Sequence, residues 1–287
     1  MEKGPRAANV MRTIAALAIL LAFWGAVGYT FWPEIAPGML RVVQAARGIG
    51  AQEIESRYLH VRNRSSASEA QVRAAVQALE ADYESIRAYL GDPSDYAIPV
   101  WIVDGSGPAL TDGTCLNVFY DGQAIALDAA PLFMALLWEG DLSLPDMNLF
   151  AHVGSALYVV EEIGSAGPLI GQPTDAWVAL FQRQGSLIPL SEAWAVTLPD
   201  SEKELARLLR AALEGGSFMR WVVEKDGWEA VRDLRNGLRV TQVTGLSLAE
   251  AGQAWLASVT AKALQPQPCA QAIPVSSSLH SFCRYLE

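Results

Sequence analysis

The sequence predicts an α+β fold: an N-terminal transmembrane helix, then a small mixed β-sheet with a long helix, then a mostly α-helical half. Three observations predict it. Thr13–Trp32 runs for twenty residues without a charge. Short alternating stretches rich in β-branched and aromatic residues crowd into the first part of the remaining chain. Stretches with apolar residues at three- and four-residue steps fill the second part, and strands followed by helices is the order of an α+β domain.

At 1.5 Å rise per residue, Thr13–Trp32 spans roughly the 30 Å hydrocarbon core of a bilayer. Lys3, Arg6 and Arg12 precede it, which keeps residues 1–12 in the cytoplasm and sends the rest across. A cleaved signal peptide is the rival reading, but its apolar stretch usually runs only about 7–15 residues. Pro33 and Pro37 also come before any small-x-small cleavage site. The expectation is a single-pass anchor, a linker over 33–52, a sheet subdomain over 53–128, a helical subdomain over 129–263 and a tail over 264–287.

The 287 residues leave room for that anchor and one or two modest domains, and 51% hydrophobic residues suffice for a packed core. With a net charge of −10 and no Lys/Arg cluster beyond the N-terminus, the composition argues against a nucleic-acid partner. The membrane, through Thr13–Trp32, and a peptide or protein ligand remain as partners.

Within the sheet subdomain, the alternation in Ser56–Val61 reads as a strand holding His60 as a structural residue. Ser68 to Leu90 reads as a helix capped by Ser68, with Val72, Val76, Leu79, Tyr83, Ile86 and Leu90 on one stripe. Gly91-Asp92-Pro93 stops it. Ile98–Val103 is a compact apolar strand. The loop after it carries Asp104, Ser106 and Asp112, whose spacing is not that of a calcium loop and which is read as a turn. Cys115–Tyr120 and Gln123–Leu127 form a hairpin around Asp121-Gly122.

In the helical subdomain, Pro131–Trp138 reads as a buried helix. Asn148–Ile163 reads as another, with Leu149, Val153, Ala156, Val160 and Ile163 on its inner side. Further helices are expected over Thr174–Gln184, Glu202–Glu214, Phe218–Asp226, Trp228–Asn236 and Ser247–Ala263, the last opened by a Ser247-x-x-Glu250 capping box. Nine tryptophans are many for this length. Trp177, Trp194, Trp221, Trp228 and Trp255 are read as core, with a peptide-binding groove as the alternative. Of the three cysteines, Cys269 and Cys283 bracket the tail and would close a disulfide in an oxidising compartment, with two unpaired thiols as the alternative. Cys115 is then left over. Asn63-Arg64-Ser65 is a glycosylation sequon, of use only in a eukaryotic secretory pathway.

Several segments carry a resemblance: Gly185-Ser-Leu-Ile-Pro-Leu190; Gly216-Ser-Phe-Met-Arg-Trp-Val-Val223 with Gly227 and Trp228; Gly245-Leu-Ser-Leu-Ala-Glu250 with Trp255; and Gly154, Ala156 and Tyr158. In this order, after an alternating strand, a long helix, an Ile98-Pro-Val strand and a hairpin, they resemble the peptidase MA-like family of gluzincin metallopeptidases over roughly Ser56 to Ala263. The resemblance implies a zincin-like helical subdomain and a zinc-dependent peptidase.

The zinc site itself is missing. The only histidines are His60, His152 and His280, and no two stand four residues apart as a His-Glu-x-x-His helix requires. By the resemblance the ligand positions fall on Pro131, Leu132, Ala135 and Val153, none of which offers a nitrogen, sulfur or carboxylate donor. The leading expectation is therefore a catalytically inactive, membrane-anchored extracytoplasmic protein without a metal cofactor, acting in binding or in a structural role. One alternative is a zinc metallopeptidase with a non-standard site built from His152 and Glu161 or Glu162, near Asp128, Glu139 and Asp141. The other is an unrelated α+β extracytoplasmic binding domain.

Overall fold

The computed structural model describes residues 51–91, 97–107, 109–111, 115–138, 148–164, 170–197, 202–273, 280 and 283–286. The expected anchor Thr13–Trp32, most of the linker, Asp112, Glu139 and Asp141 lie outside the described residues. Among the described residues no helix is long and apolar enough to cross a membrane. Gln52–Glu287 forms one compact unit.

The α+β character stands. The sheet comprises β1 (Gln52–Ile54), β2 (Leu59–Asn63), β3 (Ile98–Asp104), β4 (Leu110–Thr111), β5 (Leu116–Tyr120) and β6 (Ile125–Ala126). Its order is β1-β2-β3-β5-β4, with β6 also paired to β5. β2, β3 and β5 run parallel, while β1, β4 and β6 are antiparallel to their neighbours. β4 pairs with Leu116 and Asn117, and β6 with Phe119 and Tyr120, so the two short strands share the free edge of β5. The strand expected over Ser56–Val61 thus starts later. β1 and β4 carry no sequence signature, because two or three residues are too few to display a period. His60 alternates outward between buried Leu59 and Val61 and is exposed.

Helix α1 (Glu69–Leu90) joins parallel β2 and β3, as such a crossover must. Ser68 and Gln71 complete a reciprocal cap at its start, and Gly91 ends it at φ 79°. Val72, Val76, Leu79, Tyr83 and Ile86 of the expected stripe are buried. The turn after β5 is held by Asp121, whose carboxylate accepts the N–H groups of Gln123 and Ala124 at 2.8 Å each.

Helix α2 (Ala130–Leu137) is apolar on every side and touches the sheet, α1 and the next helix, α3 (Leu149–Glu162). A helix without a polar face belongs inside a core. α3 is capped by Asn148, which accepts the Ala151 N–H at 2.8 Å. Its expected inner stripe is corrected. Ala156 and Val160 of that stripe are buried, but Leu149, Val153 and Ile163 are only half-buried, while Phe150, Ala151, Gly154 and Leu157 outside it are buried. α3 is enclosed by α2, α6 and α7, so it has no single inner side.

The remaining helices are α4 (Thr174–Gln184), α5 (Leu190–Ala193), α6 (Glu202–Asp226), α7 (Trp228–Arg235), α8 (Val240–Thr244), α9 (Leu248–Ala261), α10 (Cys269–Ala272) and α11 (Cys283–Leu286). α6 is one continuous helix where the sequence suggested two. Gly215-Gly216, which falls between the two expected helices, lets α3 and α4 come close instead. A Cβ on Gly154 would stand 2.6 Å from the Gly215 carbonyl carbon, and one on Gly216 would stand 2.7 Å from Thr174 Cγ2. The capping box of Ser247 and Glu250 on α9 is present. A single hydrophobic cluster runs from Leu59 on the sheet to Leu286.

Cys269 and Cys283 form a disulfide with Cα atoms 5.4 Å apart. The tail is not an appendage: Cys269, Ile273, Cys283 and Leu286 belong to the core, and α11 packs on α6. The chain-entropy argument puts the worth of a loop this size at about 3 kcal/mol. The Cys269→Ser, Cys283→Ser double variant should lose about that much in urea unfolding. A loss under about 1 kcal/mol would mean that packing alone holds the tail.

Candidate functional site

By the resemblance, a metal would sit where α2 meets α3. Ala135 and Pro131 are buried, and Leu132 and Val153 are half-buried against the core. Hydrocarbon occupies all four positions. Zinc takes imidazole nitrogen, thiolate or carboxylate oxygen, so these residues do not fit the metal.

His152 lies one residue from Val153 on α3 and is buried. It faces Arg235 of α7, whose Nη2 lies 3.5 Å from His152 Nε2. Arg235 Nη1 donates to Ser155 Oγ at 2.9 Å, and the Ser155 hydroxyl donates to the His152 carbonyl at 2.9 Å. Burial, and then the Arg235 charge, pull the imidazole down to about 3, against a weaker opposite pull from the Leu136 backbone. His152 is therefore neutral at physiological pH, packed beneath a guanidinium that would repel a cation.

Glu161 and Glu162 do not join it. They stand nine and ten residues further along α3. Nine residues are about 13.5 Å of rise and roughly half a turn of rotation, so Glu161 lies on the far side of the helix from His152. Both carboxylates are already engaged: Arg220 of α6 binds Glu161 and Glu162 at 2.9 Å each. Glu161 also accepts the N–H and hydroxyl of Thr174 at 3.2 and 2.7 Å, which caps α4. The expected set of His152 with Glu161 or Glu162 is thus not brought together. Among the described residues there is no group of three or more His, Cys, Asp or Glu able to hold a metal ion. Asp128 stands in the turn before α2, and His280 Nδ1 meets the Ile273 carbonyl at 2.8 Å. Cys115 is buried beside β5, within 3.6 Å of the Asn117 amide.

Of the five tryptophans expected in the core, three lie in it. Trp177, Trp221 and Trp255 are buried; the half-buried Trp194 packs at a tilt against Phe150, and the half-buried Trp228 stacks on Tyr158. Asn63 of the sequon accepts the Ser65 N–H and hydroxyl at 2.9 and 2.7 Å.

Two buried polar centres go beyond what the sequence pattern picks out. One is Asp175 of α4, which receives the Ser217 hydroxyl at 2.5 Å and Lys262 Nζ at 2.7 Å, while Trp255 Nε1 donates to Ser217 at 2.9 Å. The other is Glu214 of α6, fully buried and accepting the Ile188 N–H at 3.0 Å. Its signal is present in the chain: it is the lone charge between Ala211 and Met219. Comparison with protein-family models, curated proteins and solved structures finds no match to this chain.

Proposed function

We propose that this chain is a non-catalytic relative of the peptidase MA-like metallopeptidases. It is tethered by Thr13–Trp32 with residues 1–12 in the cytoplasm, and it presents an extracytoplasmic domain that binds a peptide or protein or serves a structural role. Residues 129–263 are read as a zincin-like helical subdomain. One observation carries the reading. The two helices that would hold the metal in the family, α2 and α3, pack directly on each other with Pro131, Leu132, Ala135 and Val153 in or against the core. Apolar surface removed from water at these positions contributes roughly 25 cal/mol per Å² to packing and nothing to coordination.

Zinc content tests it. Protein purified without a histidine tag, loaded with zinc and dialysed, should retain less than about a tenth of an equivalent, because its core positions offer no donors. Retention near one equivalent, lost on mutating His152 and accompanied by peptide hydrolysis, would overturn the proposal in favour of a rebuilt zinc peptidase.

A further inference from the structure

Glu214 sits midway along α6, where the helix is buried on all sides from Ala211 to Met219. Oε1 accepts the Ile188 N–H, while Oε2 is buried with no hydrogen-bond partner. Arg210, one turn earlier, is close enough to act on it electrostatically, and its Nε is buried without a hydrogen-bond partner. The charged groups on the elements packed against α6 are spent elsewhere. Glu161 and Glu162 of α3 bind Arg220, and Asp175 of α4 binds Ser217 and Lys262. Arg183 of α4 donates to the Leu264 carbonyl, and Glu192 of α5 pairs with Arg207. On α7, Glu229 pairs with Arg232, Arg235 binds Ser155 and Asp233 is exposed. Glu250 of α9 is bound to Ser247, and Arg284 of α11 to Tyr285.

We infer that Glu214 is a pH-sensitive latch. As an uncharged carboxylic acid it fastens the Gly185–Pro189 segment to the central helix, and its ionisation loosens that segment and the helix junction of α4, α5 and α6. A neutral acid leaves one buried O–H without an acceptor, whereas a carboxylate in the same place is a buried charge with one oxygen unsatisfied, which costs more. Burial raises the group from 4.5 to about 8, against opposing pulls from the Ile188 N–H and Arg210.

The sign follows from proton linkage. An acid held higher in the folded than in the unfolded state stabilises fully below the unfolded value of 4.5, and that stability is lost as pH rises through about 8. Across this window the unfolded chain releases a proton that the folded chain keeps, so the folding constant falls by up to about tenfold per pH unit. Opening of the Gly185–Pro189 segment alone follows the same law.

The test is hydrogen exchange of the peptide covering Ser186–Leu190 in the full-length protein, between pH 6 and 9, for wild type, Glu214→Gln and Glu214→Met. Dividing wild type by variant at each pH cancels the base-catalysed chemistry of exchange. The ratio should climb by up to about a hundredfold from pH 6 to pH 8 and then level off, as one ionising group requires. Wild-type urea stability should fall over the same window, and either variant that folds should lack that fall. A flat exchange ratio, or a wild type whose stability does not fall between pH 6 and 8, overturns the latch even if neither variant folds.

Discussion

Replacing Gly154 with alanine should remove about 3 kcal/mol of stability, read as a shift of the urea midpoint at unchanged slope or roughly a 6–12 °C drop in Tm. The new methyl group would lie 2.6, 2.7 and 2.8 Å from the carbonyl carbon, oxygen and Cα of Gly215. These are backbone atoms of a central helix, which no side-chain rotation can move aside. α3 and α6 are also the most extensively packed helix pair among the described elements, so parting them would disturb many contacts at once. Gly215→Ala should act through the same crossing but more gently, since its Cβ would meet Gly154 Cα and the Phe150 carbonyl oxygen at 3.0 Å. Because either methyl alone forces the helices apart, the double variant should cost less than the sum of the two. If Gly154→Ala stays within about 0.5 kcal/mol of wild type, the crossing is looser than these distances require.

That crossing also shows which features were legible in the sequence. Gly215-Gly216 falls between two expected helices, and each glycine costs about 1 kcal/mol against alanine in a helix interior. The reason to keep the helix intact lies 61 residues away in Gly154, and no local pattern reveals it. The stripe of α1 was legible because water bathes its other side, and contrast between faces is what periodicity reports. α3 lacks that contrast, so periodicity finds Ala156 and Val160 but misses Phe150, Ala151 and Leu157, which are equally enclosed. α2 was legible for the opposite reason: eight residues without a polar group have only the core to go to.

For the candidate site, the missing donors could be read directly, since a ligand set is defined by residue type and spacing. The pairings could not. Glu161 and Glu162 advertise negative charge but not Arg220 as their partner, and His152 gives no hint of Arg235, which is 83 residues away. A carboxylate in a sequence is an offer of charge, and whether a metal or a guanidinium takes it is decided by the fold.

Asp175→Ala should cost about 2–3 kcal/mol, because it strips the acceptor from the buried Ser217 hydroxyl and breaks an ion pair whose lysine side chain is 32% exposed. Asp175 is only 5% exposed, and its two oxygens hold different elements: Oδ1 takes the Ser217 hydroxyl on α6, and Oδ2 takes Lys262 just beyond α9. Removing the carboxylate leaves the Ser217 hydroxyl buried without its acceptor and removes the most buried partner of Lys262, which keeps only the more exposed Glu224 at 3.0 Å. Trp255 is drawn in as well, since its indole N–H donates to that same hydroxyl. Asp175→Asn provides the division. The amide can still accept from Ser217 but cannot pair with Lys262, so it should cost about 1–2 kcal/mol, and raising salt should narrow its gap from wild type. Ser217→Ala in the Asp175→Ala background should cost little further, because a network that acts as a unit is lost with its first member. Equal losses for Asp175→Ala and Asp175→Asn would assign the stability to the ion pair with Lys262. An Asp175→Ala loss below about 1 kcal/mol would mean that water replaces the carboxylate and that α4, α6 and α9 are joined by hydrocarbon alone.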